Sequence, residues 1–468
     1  MNIRCSILIA VFYLMVISGC SSTVVDFPLI EKRPLGKDMM TFSTAGDNGE
    51  PGAVGREFKA PEGVITLREA LSSALMGNPE LAAFSWEIRA AEARALQAGL
   101  IPNPEIEIEA EEFGGIGERR NFKGAAGTLV LSQLIELGSK GSKRRRVASL
   151  ESGLAGWDYE AKRLEVVSET TKTFIEVIAA QDLVTLKEEL LRLAEEVLTT
   201  VSERVKAGKV SPIEETRAKI SVSTSRIGVV QAKRDLKIAR KKLAAAWGGK
   251  TALFEQARGD LDTINPVPPV GNLWSLLLQN PDIARWELEI KQRKAALDLE
   301  KANRIPDLTL NAGMQRFNET HDGSFLFGVS IPIPLFDRNQ GGIREALHSL
   351  SKANEERRAT EVQIHAALTE AYQTLACAHS EAKTLKDDVL PSAEQVFKDI
   401  KEGYRLGKFG YLEVLEAQQT LFEVKEQYIE SLATYHSSVA DVEHLIARGL
   451  ESLTETPKNE TKGNDNDK

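Results

Sequence analysis

Histidine and cysteine, which often act in catalysis or bind metal ions, are few in this sequence. His365 and His379 lie about four turns apart on one predicted helix, so they share a face but cannot bind one metal ion at about 2 Å. The sequence contains no Gly-rich phosphate loop and no GxSxG or HExxH signature. These residues predict surface histidines, and they give no basis for a catalytic centre, a metal site or a cofactor.

The positions of the three cysteines favour lipid attachment at one of them over disulfide bonding. Residues 1–19 contain one early arginine, an apolar stretch and small residues at the end, which is typical of a secretory signal peptide. Cys20 follows directly and resembles the acylated cysteine of bacterial lipoproteins, and Ser21 resembles their outer-membrane sorting residue. We expect Cys20 to carry the lipid; an ordinary signal peptide with a chance cysteine is the alternative. After processing only Cys377 would remain, so no intramolecular disulfide is expected.

The charge of the chain argues against nucleic acid as a partner. The formal net charge is -9, whereas binding to phosphates requires a basic face. The basic run at 143–146 has no interleaved aromatic residues, which favours a solvated rim near a membrane surface. After the signal there is no apolar run long enough for a spanning helix, so a membrane crossing would have to use strands closed into a barrel.

The sequence is a tandem duplication. Residues 75–81 recur as 277–283, and the segment AGKV at 207–210 recurs as LGKF at 406–409, in the same order and at nearly the same spacing. The predicted organisation is a signal peptide 1–19, a lipid-anchored tether 20–63, a first repeat 64–250, a linker 251–271, a second repeat 272–450 and a disordered polar tail 451–468.

Each half is predicted to form a helix, two strands, a very long helix, a turn and a helix. Alternation of apolar and polar residues from Glu105 to Ala110 and from Phe325 to Ile333 is typical of membrane strands, although a soluble hairpin has the same pattern. The stretch 140–206 has no proline and would form a helix of about 100 Å. Its counterpart, about 340–406, contains Pro391, where we expect a kink.

Four strands in one chain are too few for a membrane barrel, because the smallest such barrels have about eight. Several chains must therefore contribute strands to one barrel. Three chains would give twelve strands.

Two segments carry a family resemblance. The strand-to-helix junction 331–342 and the turn region 404–417 resemble the TolC-like outer-membrane efflux factors, and most closely their CzcC- and CusC-like cation-efflux lipoprotein branch. The resemblance covers about residues 60–450. It implies a mainly α fold with a membrane β portion, in which a homotrimer forms a twelve-stranded β-barrel and a periplasmic α-helical tunnel.

The same resemblance implies the function and the partners. The chain would be the outer-membrane channel of a tripartite efflux system, exporting heavy-metal cations together with a periplasmic membrane-fusion adaptor and an inner-membrane RND-type pump. A channel for organic efflux or type I secretion is the first alternative. A periplasmic adaptor lipoprotein is disfavoured because the strand pairs are duplicated, and a coiled-coil spacer would lack the Pro-rich strand junctions.

Residues at the predicted turns are candidates for a periplasmic gate. By resemblance, Glu413 and Glu416 take the family's tunnel-constricting positions, and Tyr404 matches its tip tyrosine. The glutamates are three apart and share a helix face; solvated glutamates on a charged helix are the alternative. Phe409 stands where TolC has an arginine that helps to lock the closed state. The expected adaptor-contacting tips are Gly208, Lys209, Gly407 and Lys408.

Overall fold

The computed structural model describes residues 30–41 and 59–454. This part of the chain is mainly helical. Its helices are α1 (Leu67–Gly77), α2 (Pro79–Ala98), α3 (Lys140–Lys206), α4 (Pro212–Ala245), α5 (Val270–Trp274), α6 (Pro281–Asn303), α7 (Gln340–Thr384), α8 (Leu390–Arg405), α9 (Tyr411–Ile446) and α10 (Glu451–Thr454). Its strands are β1 (Gly63–Thr66), β2 (Glu105–Glu111), β3 (Ala126–Ile135), β4 (Phe254–Arg258), β5 (Leu308–Phe317) and β6 (Gly323–Ser330).

The chain divides into two compact units. The sheet unit consists of Ala90–Leu154 and Leu288–Ser351. The helical unit consists of the described residues within Ile30–Arg89, Ala155–Glu287 and 352–454. The predicted order of helix, strand pair, long helix, turn and helix is present in both halves of the sequence.

In the sheet unit, β2, β3, β5 and β6 form one antiparallel sheet in that order. The strands predicted from period-two alternation are therefore present. Ile331 and Ile333, which we expected to continue the last strand, lie beyond its end at Ser330. Pro332 between them cannot donate a ladder hydrogen bond, which explains why the strand stops there.

In the helical unit, apolar residues of α3 form a packing seam along one face of the helix. Leu164, Val167, Phe174 and Ile178 are all buried, and they follow the spacing of three and four that places side chains on one helix face. Burying each such side chain contributes about 1.5–3 kcal/mol. The seam therefore holds the long helix against its neighbours.

The helix that contains Pro391 is interrupted where we expected a kink. Between α7 and α8 lies a π-helical turn at Leu385–Val389, closed by the N–H of Leu390 donating to the carbonyl of Leu385. A proline in an α-helix lacks its N–H and its ring collides with the carbonyl four residues earlier. The wider turn accommodates Pro391, which occupies the first turn of α8.

Three short elements were not predicted. β1 and β4 pair in parallel. The predicted linker 251–271 therefore contains a strand, and its partner β1 spans the predicted boundary between the tether and the first repeat. The first four residues of the tail that we expected to be disordered form α10. No helix in the described ranges combines the length and the apolar character needed to cross a membrane.

Candidate functional site

The two predicted tips are the same turn built twice in the helical unit. Gly208 and Gly407 both have positive φ, at 68° and 75°. The residue after each glycine donates its N–H five residues back, from Lys209 to the carbonyl of Arg204 at 2.9 Å and from Lys408 to that of Gly403 at 2.8 Å. This is the Schellman arrangement that ends a helix, and it favours glycine at the left-handed position. Both lysines are exposed.

Tyr404 lies inside the packed core of the tip rather than on its surface. Its ring is buried with Val201, Ala218, Tyr411 and Val414, and its hydroxyl has no hydrogen-bond partner in the described structure. Burial raises the pKa of the Tyr411 hydroxyl, and Tyr404 acts in the same direction. The predicted gate tyrosine is thus also a packing residue of its own chain.

An arginine from the first half of the chain contacts Tyr404. The guanidinium of Arg204 lies 4.5 Å from the centre of the Tyr404 ring, and it donates to the Tyr404 carbonyl at 3.4 Å. Such a cation–π contact contributes about 0.5–2 kcal/mol, depending on how far it is desolvated. It joins the two hairpins near their turns.

Phe409, the departure from the family pattern, packs on its own hairpin. Its ring lies against Gly403, where an added Cβ would meet the Phe409 Cδ2 at 2.3 Å. A side chain at position 403 would therefore displace the Phe409 ring. Sequence reasoning missed Gly403, although an isolated glycine inside a helical pattern is itself a signal of close packing.

Glu413 and Glu416 are both exposed on α9, directly after the second tip. Glu413 lies in the first helical turn, where a carboxylate also interacts favourably with the helix dipole. At the shift of the tip repeat, Glu214 corresponds to Glu413 but Arg217 corresponds to Glu416. The acidic pair therefore exists only in the second half of the chain.

The junction motif 337–342 in the sheet unit has a structural role. The Asn339 N–H donates to Asp337 Oδ1 at 2.9 Å, and the Arg338 N–H donates to Gln340 Oε1 at 2.8 Å. The side-chain amide of Asn339 also donates to the carbonyl of Glu300 at 2.8 Å. The motif thus folds onto itself at the start of α7 and holds this helix to α6.

One face of the four-stranded sheet is apolar. The register aligns Ile108, Leu129, Met314 and Phe325 in one row across the sheet, and all four side chains are exposed, by 79%, 42%, 53% and 71%. A neighbouring row runs from Ile106 to Phe327. A continuous apolar face of this kind marks contact with lipid or with another protein surface.

The opposite face of the sheet is richer in polar side chains, although Val130 and Leu326 also lie on it. It carries the side chains of Glu105, Glu107, Glu109 and Glu111 along β2, all exposed. The register continues the Glu109 row through Thr128, Gln315 and Ser324. Alternation of this kind, with one apolar and one polar face, is typical of transmembrane strands that surround water.

The remaining predicted residues are placed as follows. The His365 ring stacks on the Trp274 ring with their centres 5.0 Å apart, and the centres of the His379 and Tyr435 rings are 5.9 Å apart. The two histidines therefore contact different aromatic side chains. Among the described residues, no group of three or more His, Cys, Asp or Glu side chains is suited to hold a metal ion. Cys20 lies outside the described residues.

One arginine of the basic run beside the sheet, and a lysine just before the run, have acidic partners. Arg144 pairs with Glu136, with a second contact at 2.9 Å, and the nearby Lys140 donates to Asp307 at 2.7 Å. Glu136 hydrogen bonding raises the pKa of Arg144. These contacts fix the start of α3 to the ends of β3 and β5.

Comparison with known proteins gives the family. Residues 70–249 and 273–448 match the family described as Outer membrane efflux protein. The chain is 33% identical over 386 residues to the cobalt-zinc-cadmium resistance protein CzcC of Cupriavidus metallidurans, a match that covers 82% of this chain and 91% of that protein. It is 27% identical to the nickel-cobalt-cadmium resistance protein NccC of Alcaligenes xylosoxydans xylosoxydans, covering 63% of this chain and 66% of NccC.

A solved structure confirms the predicted fold. The crystal structure of the CusC channel superposes with a TM-score of 0.71 at 16% sequence identity, covering 92% of this chain and all of that one. The fold is therefore that of the TolC-like channels, mainly helical with a strand portion. From the two matched segments and the relative at 33% identity, the chain belongs to the outer membrane efflux protein family.

Proposed function

We propose that this chain is the channel of a tripartite efflux system and that it exports heavy-metal cations across the outer membrane. The observation that carries the cargo class is the 33% identity to a cobalt-zinc-cadmium resistance protein over 91% of its length. An inner-membrane RND-type pump would supply the driving force through a periplasmic adaptor. The channel itself would only conduct.

The proposed assembly is a homotrimer. Each chain offers four antiparallel strands, and among the described residues the outer edges of β2 and β6 have no paired strand. Three copies would supply twelve strands and pair every edge, which a membrane requires because unpaired backbone groups are costly in lipid. The apolar rows containing Ile108 and Phe327 would face the lipid, and the glutamates of β2 would face the water-filled interior.

The proposed gate lies after the second tip. Glu413 and Glu416 are exposed on one face of α9, and Tyr404 packs beneath the turn. Three copies would bring six carboxylates together, and a ring of carboxylates favours cations in a pore. The proposal therefore connects the acidic pair with the charge of the cargo.

The proposed adaptor contacts are the two turns. Lys209 and Lys408 are exposed beside glycines that fix the turn geometry. Cysteines introduced at these lysines should crosslink to an adaptor in intact cells, whereas a cysteine at the exposed Lys237 in the middle of α4 should not. Equal crosslinking from all three positions would refute the tip assignment.

The cargo is tested in a strain that lacks the chain. We expect the deletion to lower the tolerated concentration of cobalt, zinc, cadmium or nickel several-fold, and a plasmid copy to restore it. Tolerance to organic dyes and detergents should not change. Loss of tolerance to the organic compounds alone would favour the alternative of organic efflux.

A further inference from the structure

The segment that follows β4 is fastened over the helical unit at several points. The Gln181 side chain accepts from the N–H of Ala257 and donates to its carbonyl, both at 2.8 Å. The Tyr435 hydroxyl accepts from the N–H of Asn265 and donates to its carbonyl, both at 3.0 Å. These two side chains hold both ends of the segment 257–265 in one position.

The middle of this segment lies close to α3 and α9. His436 Nε2 is 2.8 Å from the Leu261 carbonyl. At Gly259 an added Cβ would lie 2.4 Å from the Ile178 Cδ1, so the backbone approaches α3 as closely as a glycine allows. The polar side chains of α9 and the glycine therefore define a fixed lid rather than a loose loop.

A cavity of about 410 Å³ lies beneath this lid, within the helical unit. Its volume is in the range of small-molecule sites. Much of its wall is apolar and comes from α3, α7 and α9, with the residues Phe174, Ile175, Ile178, Leu375, Val439 and Ala440. Its titratable lining groups are Arg258, Asp260, Tyr435, His436, Glu443 and Glu451.

Most of these polar groups have a structural partner. Tyr435 and His436 bind the lid, and both Asp260 oxygens accept hydrogen bonds within it, from the Asp262 N–H at 2.9 Å and the Thr263 hydroxyl at 2.7 Å. Glu443 makes one such contact, in which its Oε1 accepts from the N–H of Leu450 at 2.7 Å. The described residues provide its carboxylate with no ion pair.

The charge of Glu443 is therefore poorly compensated in this wall. Burial raises the pKa of the Glu443 carboxyl to about 7, and Glu451 acts in the same direction. A cation placed in the cavity would compensate this charge, and an apolar body would fill the remaining volume. A bare metal ion fits poorly, because the described residues contain no cluster of three metal-ligating side chains and an apolar wall cannot replace water ligands.

We propose that this cavity binds a small organic monocation, an ammonium group on an aromatic or aliphatic body, with the ammonium paired to Glu443. None of the residues that line the cavity belongs to the tip turns or to the four-stranded sheet. The proposed binding of a monocation therefore does not depend on the proposed cargo or on the proposed gate.

The test uses tryptamine as the probe and its neutral analogue tryptophol as the control. We expect saturable binding of tryptamine to the purified full-length protein in isothermal titration calorimetry and no saturable binding of tryptophol. Because only ionised Glu443 would pair with the ammonium, the dissociation constant should be about tenfold lower at pH 8 than at pH 6. Empty detergent micelles correct for partitioning of both compounds.

The variant Glu443→Gln keeps Arg258, His436 and Glu451, so it isolates one carboxylate. Tryptamine binding should weaken at least tenfold at pH 8, and its dependence on pH should disappear. Equal binding of tryptophol, unchanged binding by Glu443→Gln, or the absence of tryptamine binding would each overturn the proposal. If the variant folds poorly, the comparison of tryptamine with tryptophol on the native protein still tests the proposal.

Discussion

Gly403 and Phe409 show how one aromatic side chain can hold a tip turn. The aromatic ring fills the space that any Cβ at residue 403 would need, so this turn is stabilised by packing within its own hairpin. The sequence predicted that Phe409 breaks the family pattern. It could not predict that the Phe409 ring contacts Gly403, because this contact depends on the φ of Gly407 and on the direction of the Phe409 side chain.

The acidic pair gives the first prediction at the scale of residues. The double variant Glu413→Gln with Glu416→Gln should lower the cation preference of single channels in planar bilayers, seen as a smaller reversal potential under a salt gradient. The reason is that the pair would supply six carboxylates to the narrowest part of a trimer. The control removes the same charge from exposed positions further along α9, with Glu423→Gln and Glu430→Gln. If both double variants behave like the native protein, the constriction lies elsewhere.

Glu443 gives a prediction about stability and pH. Its pKa of about 7 in the folded protein is above the ordinary value of 4.5, so the folded state retains a proton that the unfolded chain releases. Stability should therefore decrease as the pH rises from about 4.5 to 7 and stay lower above it. Glu443→Gln should be more stable than the native protein at pH 8, by about 3 kcal/mol, and about equal to it at pH 4.5. Thermal unfolding followed by circular dichroism measures both differences; a constant difference across this range would contradict the shifted pKa.

The long elements could be predicted at the scale of helices and strands, and the short ones could not. α3 begins and ends where the proline-free stretch was expected, at Lys140 and Lys206, because a long apolar period repeats the signal many times. β1 and β4 have four and five residues and pair across a large sequence separation, so no local period marks them. Pro391 predicted a distortion, but the π-helical turn that relieves it depends on the whole helix.

The two faces of the sheet give the prediction at this scale. Phe327→Lys places a charge on the apolar face of β6, and its cost in lipid should be about 2–4 kcal/mol near the bilayer midplane. We expect less of this variant in the outer-membrane fraction. Ser324→Lys, on the polar face of the same strand, is the matched control and should insert normally. Normal insertion of both variants would mean that the apolar face does not contact lipid.

At the scale of the whole molecule, two features should hold the chain in the membrane, the lipid on Cys20 and the strands. With the signal peptide still cleavable, Cys20→Ala should lack the mass of the acyl chains but remain in the outer-membrane fraction, because the strands suffice. Mass spectrometry of the mature N-terminus and membrane fractionation measure the two outcomes. A soluble periplasmic variant would mean that the lipid alone anchors the chain.

The number of chains in one particle is the sharpest test of the proposed channel, because four strands cannot close a pore and three sets of four can. Protein extracted from membranes in mild detergent should have the mass of three chains by light scattering corrected for detergent. It should keep that mass on dilution, since each unpaired strand edge is satisfied by a neighbouring copy. A stable, folded monomer or dimer under these conditions would contradict the proposal that three chains form one channel.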